Sequence, residues 1–148
     1  MKILICTDGS EYTERAIDLV AELLADSRNA DVVCIYVIDP AAGTELEMII
    51  ESVEDLTAPG TAAGDEARGV LEACQKRFEQ HVTGPGVRFS TEVLAGPPER
   101  LICERAESWS ADMIVLGSHG RGAVSRALFG SVSERVLHHS SCAVLIVR

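Results

Sequence analysis

The sequence predicts a doubly wound α/β fold, a five-stranded parallel sheet with helices on both faces. Three observations predict it. Apolar runs rich in Ile, Val and Leu recur at about 2–6, 31–38, 87–94, 112–117 and 142–147; stretches with helical spacing separate them; and the runs are apolar at consecutive rather than alternate positions. A strand that is apolar on both faces must be covered on both faces, and strands joined by helical crossovers run parallel. Ligands of such sheets bind beyond the carboxyl ends of the strands, where the strand order reverses.

Each element has its own signal. The first strand runs into Thr7-Asp8-Gly9-Ser10, and Ser10 is positioned to cap a helix whose apolar face is Ala16, Ile17, Val20, Leu23 and Leu24. A second strand ends at Ile38-Asp39. The segment from 39 to about 62 is too long for a plain loop, and its apolar middle, Leu46, Met48, Ile49, Ile50 and Val53, suits a lid or a partner-contacting excursion, with a disordered insertion as the alternative. Ala67, Val70, Leu71, Cys74 and Phe78 mark the next helix. After the third strand, Pro97-Pro98 opens a helix carrying Ile102, Ala106 and Trp109. The fourth strand ends in Gly117. The last helix is expected to start with a Ser131-x-x-Glu134 capping box and to bury Val132, Val136 and Leu137 before the closing strand.

The stretch between the fourth strand and the last helix carries the chemistry. Met113-Ile114-Val115-Leu116 ends in Gly117-Ser118-His119-Gly120, and nine residues later Gly130-Ser131 opens the helical pattern. Glycines let backbone N–H groups approach an anion, and the positive end of a helix dipole favours negative charge. Ser118 and Ser131 can add hydroxyl donors. A tight strand-to-helix connection would also use such glycines. Asp8, at the carboxyl end of the first strand, suits a ribose hydroxyl or a phosphate-bound Mg²⁺, which needs only one or two carboxylates, and it equally suits a capping turn. His119 can donate to a phosphate or simply be solvated.

Composition bounds the function. The chain has 148 residues, 47% of them hydrophobic, enough for one domain with a core over 1–148. A formal net charge of −10 opposes nucleic acid and anionic membrane as partners. Arg121, Arg126 and Arg135 fall in the glycine-rich segment while acidic residues crowd 45–54, which suits a local anion site, although solvated surface arginines read the same way. Five dispersed cysteines without a Cys-x-x-Cys pair, and a start that resembles a strand rather than a signal peptide, favour a cytoplasmic protein. No apolar run approaches the ~20 residues of a membrane span.

With the pattern Gly117-x-x-Gly120, nine residues, Gly130-Ser131, the chain resembles the universal stress protein family, and the likeness extends to Ile3–Ser10, Ile35–Asp39 and Ser141–Val147. The resemblance implies a strand order of 3-2-1-4-5, which sets Thr7-Asp8 and Gly117–Gly120 across one crevice. It implies an adenine-nucleotide site for ATP with Mg²⁺: Thr7 and Asp8 at the ribose or metal, Val37 at adenine through its main chain, and Gly117, Ser118, His119, Gly120, Gly130, Ser131, Val132 and Ser133 around the phosphates. Many relatives have proline at the positions of Cys6 and Ala143. It further implies a stress-response sensor or regulator, and a homodimer formed through the apolar closing strand, 142–147.

Enzyme chemistry has weaker support. The P-loop pattern is missing, the only lysines are Lys2 and Lys76, and neither a Gly-x-Ser-x-Gly elbow nor a zinc signature occurs. A receiver domain would share the architecture but normally needs an acidic cluster, a phosphoacceptor Asp after the third strand and a lysine after the fifth. Slow ATP hydrolysis, autophosphorylation on a loop serine and a nucleotide-independent dimeric scaffold remain the alternatives.

Overall fold

The computed structural model describes residues 1–42, 53–82, 85–120 and 129–148, with the backbone alone at 42, 53 and 54. Five strands, β1 (Lys2–Thr7), β2 (Ala30–Ile38), β3 (Val87–Ala95), β4 (Met113–Gly117) and β5 (Ala143–Val147), form one sheet in the order β3-β2-β1-β4-β5. Every neighbouring pair is parallel. The helices are α1 (Glu11–Leu24), α2 (Val53–Thr57), α3 (Ala62–His81), α4 (Pro98–Trp109) and α5 (Ser131–His139), with a 3-10 turn at Pro40–Ala42.

The alternation of each central strand feeds two separate cores. Ile3 and Ile5 of β1, Val32 and Cys34 of β2 and Val115 of β4 pack under α1 and α3, through Ile17, Val20, Leu24, Leu71, Cys74 and Phe78. The intervening residues Leu4, Cys6, Val33, Ile35, Ile114 and Leu116 pack on the other face, against Ile102 and Ala106 of α4 and Val136 of α5. Both faces are therefore dry at the centre, as the consecutive apolar runs require.

Several expectations need correction. β3 is an edge strand and exposes Arg88, Ser90 and Thr91, so it is not apolar on both faces. The capping box at α5 does not form: Gly130 is the N-cap, no side chain caps the helix, and Ser131 is already its first residue. Ser133 takes the local role instead, donating to Gly130 O at 2.9 Å. Val132 is only half-buried, and Leu137 is 45% exposed because it lies on the outer side of the short helix. Ser10 sits at the N-cap of α1, but its side chain makes no cap bond. Of the 39–62 segment, the 3-10 turn and α2, with Leu56 buried, are described; Leu46, Met48, Ile49 and Ile50 lie outside the described residues, as do Arg121 and Arg126.

Candidate functional site

Strand order places the reversal point between β1 and β4, whose chains leave toward opposite faces of the sheet. A cleft of about 680 Å³ opens there. Thr7 and Asp8 lie at the end of β1, and Gly9, at φ 75°, turns the chain into α1. That left-handed conformation favours glycine. The Asp8 carboxylate accepts from Ser10 N–H at 3.0 Å through Oδ1, which makes the turn rigid. Its Oδ2 lies on the side of Gly120, where a Cβ would stand 2.8 Å away. The turn-capping and cleft-facing readings of Asp8 are thus compatible, one for each oxygen.

The loop after β4 meets this turn directly. Ser10 Oγ donates to His119 O at 3.4 Å, and the Tyr12 and His119 rings stand 5.5 Å apart. A Cβ on Gly117 would come within 2.8 Å of Tyr12 Cβ and 3.1 Å of Thr13 Cγ2, so glycine there permits close packing of the loop on α1. Gly117, Gly120 and Gly130 do not adopt positive φ, and Gly130 is extended at φ −72°, ψ 160°. Their small size, rather than a left-handed backbone, is what the site uses.

Ser118 is placed differently from a phosphate donor at the surface. It is fully buried and does not line the cleft. Its N–H donates to Val147 O at 2.7 Å, its carbonyl accepts from Gly130 N–H at 2.7 Å, and its Oγ faces His119 Nδ1 at 3.1 Å. Ser133 Oγ also reaches the Ser118 carbonyl, at 3.3 Å. Ser118 therefore ties the loop, the start of α5 and the end of β5 together from behind the wall.

The remaining sequence-selected residues, Thr7, Val37, His119, Gly120, Gly130, Ser131, Val132 and Ser133, all line the cleft with Asp8 and Gly117. The Thr7 hydroxyl is held in a network: it accepts from Gly9 N–H at 3.1 Å and stands 3.1 Å from Thr13 Oγ1. The first intrahelical bond of α5 is Glu134 N–H to Gly130 O, so the amides of Ser131, Val132 and Ser133 precede the helix ladder. They form the positive end of a helix of nine residues, directed at the cleft.

Sequence reasoning missed the apolar wall. Ile35, Pro98, Ile102, Leu116 and Phe129 join Val37 in lining the cleft, and Ile102 had the signature of an ordinary core position. Thr13, a polar residue on the buried face of α1, was the one legible signal. Cys6 also lines the wall, and burial pushes its thiol pKa up, so it stays protonated and apolar in character. Among the described lining residues the ionisable acids are Asp8 and Glu134. No group of three or more His, Cys, Asp or Glu residues is gathered for a metal among the described residues. A cation here would need oxygens from a ligand beside the Asp8 carboxylate, a donor set that suits Mg²⁺.

The cleft thus combines an apolar wall with backbone amides and a carboxylate. The chain and its fold are similar to known proteins. A universal stress protein of Methanocaldococcus jannaschii is 36% identical over 99% of this chain and 81% of its own length. The fold matches UspA of Lactobacillus plantarum with a TM-score of 0.78 at 25% identity, covering 100% of this chain and 97% of that one. It also matches a universal stress protein solved in complex with cAMP, with a TM-score of 0.71 at 25% identity and coverages of 100% and 97%. A sequence profile of the universal stress protein family matches residues 1–148. Motif, strand order and whole-length similarity agree, and the chain belongs to the universal stress protein family.

Proposed function

We propose that the chain binds an adenine nucleotide, ATP with Mg²⁺ foremost, and acts as a stress-response sensor or regulator in the cytoplasm. The observation that carries this reading is the cleft at the switch point, lined both by the α5 amides and by an apolar wall. Adenine would lie against Val37, Ile35, Leu116 and Ile102, and the Val37 main chain would supply its hydrogen bonds. The phosphates would meet the Ser131, Val132 and Ser133 amides and the loop at His119 and Gly120, with Gly117 and Ser118 holding that loop from behind. Thr7 and Asp8 would hold the ribose, or Asp8 a phosphate-bound Mg²⁺. The cAMP complex of a relative supports an adenine nucleotide as the ligand class. A homodimer formed through β5, and a single domain over 1–148, complete the proposal.

Calorimetric titration of nucleotide-free protein with ATP, ADP, AMP and cAMP, with and without Mg²⁺, tests it. A hundredfold excess of ligand over Kd adds about 2.7 kcal/mol of stability, which raises Tm by about 5–10 °C for a chain of this size. Absence of binding and of any thermal shift at millimolar nucleotide would overturn the reading.

A further inference from the structure

Beside Asp8, the cleft wall carries a buried hydroxyl to which the proposed ligand contacts assign no role. Thr13 lines the cleft from the first turn of α1, and it is only 4% exposed. The face of α1 to which it belongs otherwise buries Ala16, Ile17, Val20, Ala21 and Leu24. A polar side chain among these costs stability unless its hydroxyl is hydrogen-bonded. Its partners are Thr7, at the end of β1, and the Asp8-Gly9-Ser10 turn.

Each hydroxyl has one proton to give. Thr7 Oγ1 receives the Gly9 N–H at 3.1 Å and the Cys74 S–H at 3.7 Å, and it gives its own proton to Thr13 Oγ1 at 3.1 Å. The Thr13 proton then has two acceptors within reach, Ser10 O at 2.9 Å and Asp8 Oδ1 at 3.4 Å. Ser10 O is already supplied: the backbone N–H groups of Thr13 and Glu14 reach it at 3.0 and 3.1 Å, and a carbonyl oxygen has two lone pairs. A third donor adds little there, whereas a carboxylate is the stronger acceptor, with bonds roughly twice as strong as neutral ones. Donation from Thr7 further polarises the Thr13 hydroxyl toward it.

We propose that Thr13 is a positioning residue for Asp8: its hydroxyl, turned from Ser10 O to Asp8 Oδ1, joins the Ser10 N–H at 3.0 Å in holding that oxygen, which directs Oδ2 to the loop side of the cleft beside Gly120. The move turns only the Oγ–H bond. It leaves the Thr13 Cγ2 methyl where it packs, 3.1 Å from the point where a Cβ on Gly117 would stand. Two donors on one carboxylate oxygen fix the carboxyl plane as one cannot, so a ribose hydroxyl or a phosphate-bound Mg²⁺ meets Oδ2 from a set direction. In this role Thr13 acts through Asp8 rather than on the ligand. Its consequence for binding rests on the function proposed above; the bond between hydroxyl and carboxylate does not.

Two double-mutant cycles test it, each built from the wild type, Thr13→Val, Asp8→Ala and the double variant. Thr13→Val keeps the branched shape and removes the hydroxyl; should it not fold, Thr13→Ala takes its place. In the first cycle, urea unfolding without nucleotide, the double variant is expected to lose less stability than the two single variants summed, because either change alone breaks the same bond. Additive losses would overturn the bond between Thr13 and Asp8. In the second cycle, calorimetric titration with Mg²⁺-ATP, Thr13→Val is expected to weaken binding about fivefold, the effect of losing one hydrogen bond. Thr13→Ser, which restores a hydroxyl, is expected to recover most of that loss, and Thr13→Val to add nothing further once Asp8 is alanine. Wild-type affinity in folded Thr13→Val, no recovery in Thr13→Ser, or an equal further loss in the Asp8→Ala background would overturn the positioning role. A wild type that binds no adenine nucleotide would instead sink the function proposed for the cleft, and the unfolding cycle would still decide whether Thr13 holds Asp8.

Discussion

At the scale of single residues, the three loop glycines divide into two kinds. At Gly120 an added Cβ would stand 2.8 Å from Asp8 Oδ2, and at Gly117 it would stand 2.8 Å from Tyr12 Cβ. At Gly130 it would find ordinary contacts, none nearer than 3.4 Å. Gly117→Ala, whose Cβ would meet atoms fixed to the α1 backbone, should therefore cost about 1–3 kcal/mol in urea or thermal unfolding, the usual range for overpacking, whereas Gly120→Ala meets only the tip of the Asp8 side chain, which can swing aside, and should cost under about 1 kcal/mol. Gly130→Ala should cost under about 1 kcal/mol, the loss of a tolerated N-cap residue. Equal losses at all three positions would show that the loop responds to backbone flexibility rather than to the space each glycine leaves. Displacing Asp8 in Gly120→Ala should also weaken Mg²⁺-dependent nucleotide binding more than Gly130→Ala does, as calorimetry can compare directly. The Gly-x-x-Gly spacing was visible in the sequence, but the direction of Ser118 was not. Its burial follows from hydrogen bonds to Val147 and Gly130, partners 29 and 12 residues away, which no local pattern encodes.

At the scale of elements, α1 and α3 cover one face of the sheet and are clasped outside the core by Arg77. Its guanidinium meets both oxygens of Asp18, at 2.6 and 2.7 Å, and reaches Glu14 at 3.2 Å. Arg105 of α4 grips Glu92 of β3 in the same two-pronged way, at 2.7 and 2.6 Å. The Arg77 guanidinium holds the Asp18 carboxyl below its ordinary 3.8. A carboxyl lowered by folding stabilises the native state above its unfolded value, and that contribution disappears as pH falls through the folded value. Asp18→Asn should cost about 0.5–1 kcal/mol near neutrality, a modest figure because both side chains are about one-third exposed. The difference from wild type should shrink below about pH 3.8, and unfolding curves at stepped pH would show it; a difference that persisted at pH 2 would assign it to packing. Elements were legible where burial was uniform: β1, β2 and β4 are apolar at successive positions because helices cover both faces. β3 kept only part of that pattern because edge position, a property of topology, left several side chains to solvent. The start of α5 was misplaced by one residue, since Ser131-x-x-Glu134 has the form of a cap while Gly130, already extended, takes the role.

At the scale of the whole molecule, the open side of β5 is the feature from which assembly can be argued. Among the described residues β5 pairs with β4 alone and ends the sheet. Its unpaired edge contains no proline, lysine or other blocking residue. Val147 directs its carbonyl back to Ser118 N–H. By the two-residue alternation of a parallel strand, Leu145 and Ala143 also turn their main chains toward β4, whereas Val144 and Ile146 turn theirs outward. A second copy related by a two-fold axis could pair β5 with β5 and join two sheets into one, which is the dimer we propose. The alternation sharpens its test. Leu145→Pro removes a donor from the β4–β5 ladder and should unfold the protein or lower its Tm severely. Ile146→Pro removes only an outward donor, a substitution that edge strands tolerate, and should leave a folded monomer. Light scattering at tens of micromolar should give twice the chain mass for the wild type and the single chain mass for Ile146→Pro. A monomeric wild type, or a dimer that survives Ile146→Pro in folded form, would exclude this edge as the interface. Because Ser118 joins that edge to the α5 end of the cleft, a dimer built here would connect each cleft to the subunit boundary through Ser118 and Val147, and the nucleotide we propose as ligand should then slow hydrogen exchange at both Ser118 and Ile146. Protection confined to Ser118 would mean that the cleft and the edge act independently.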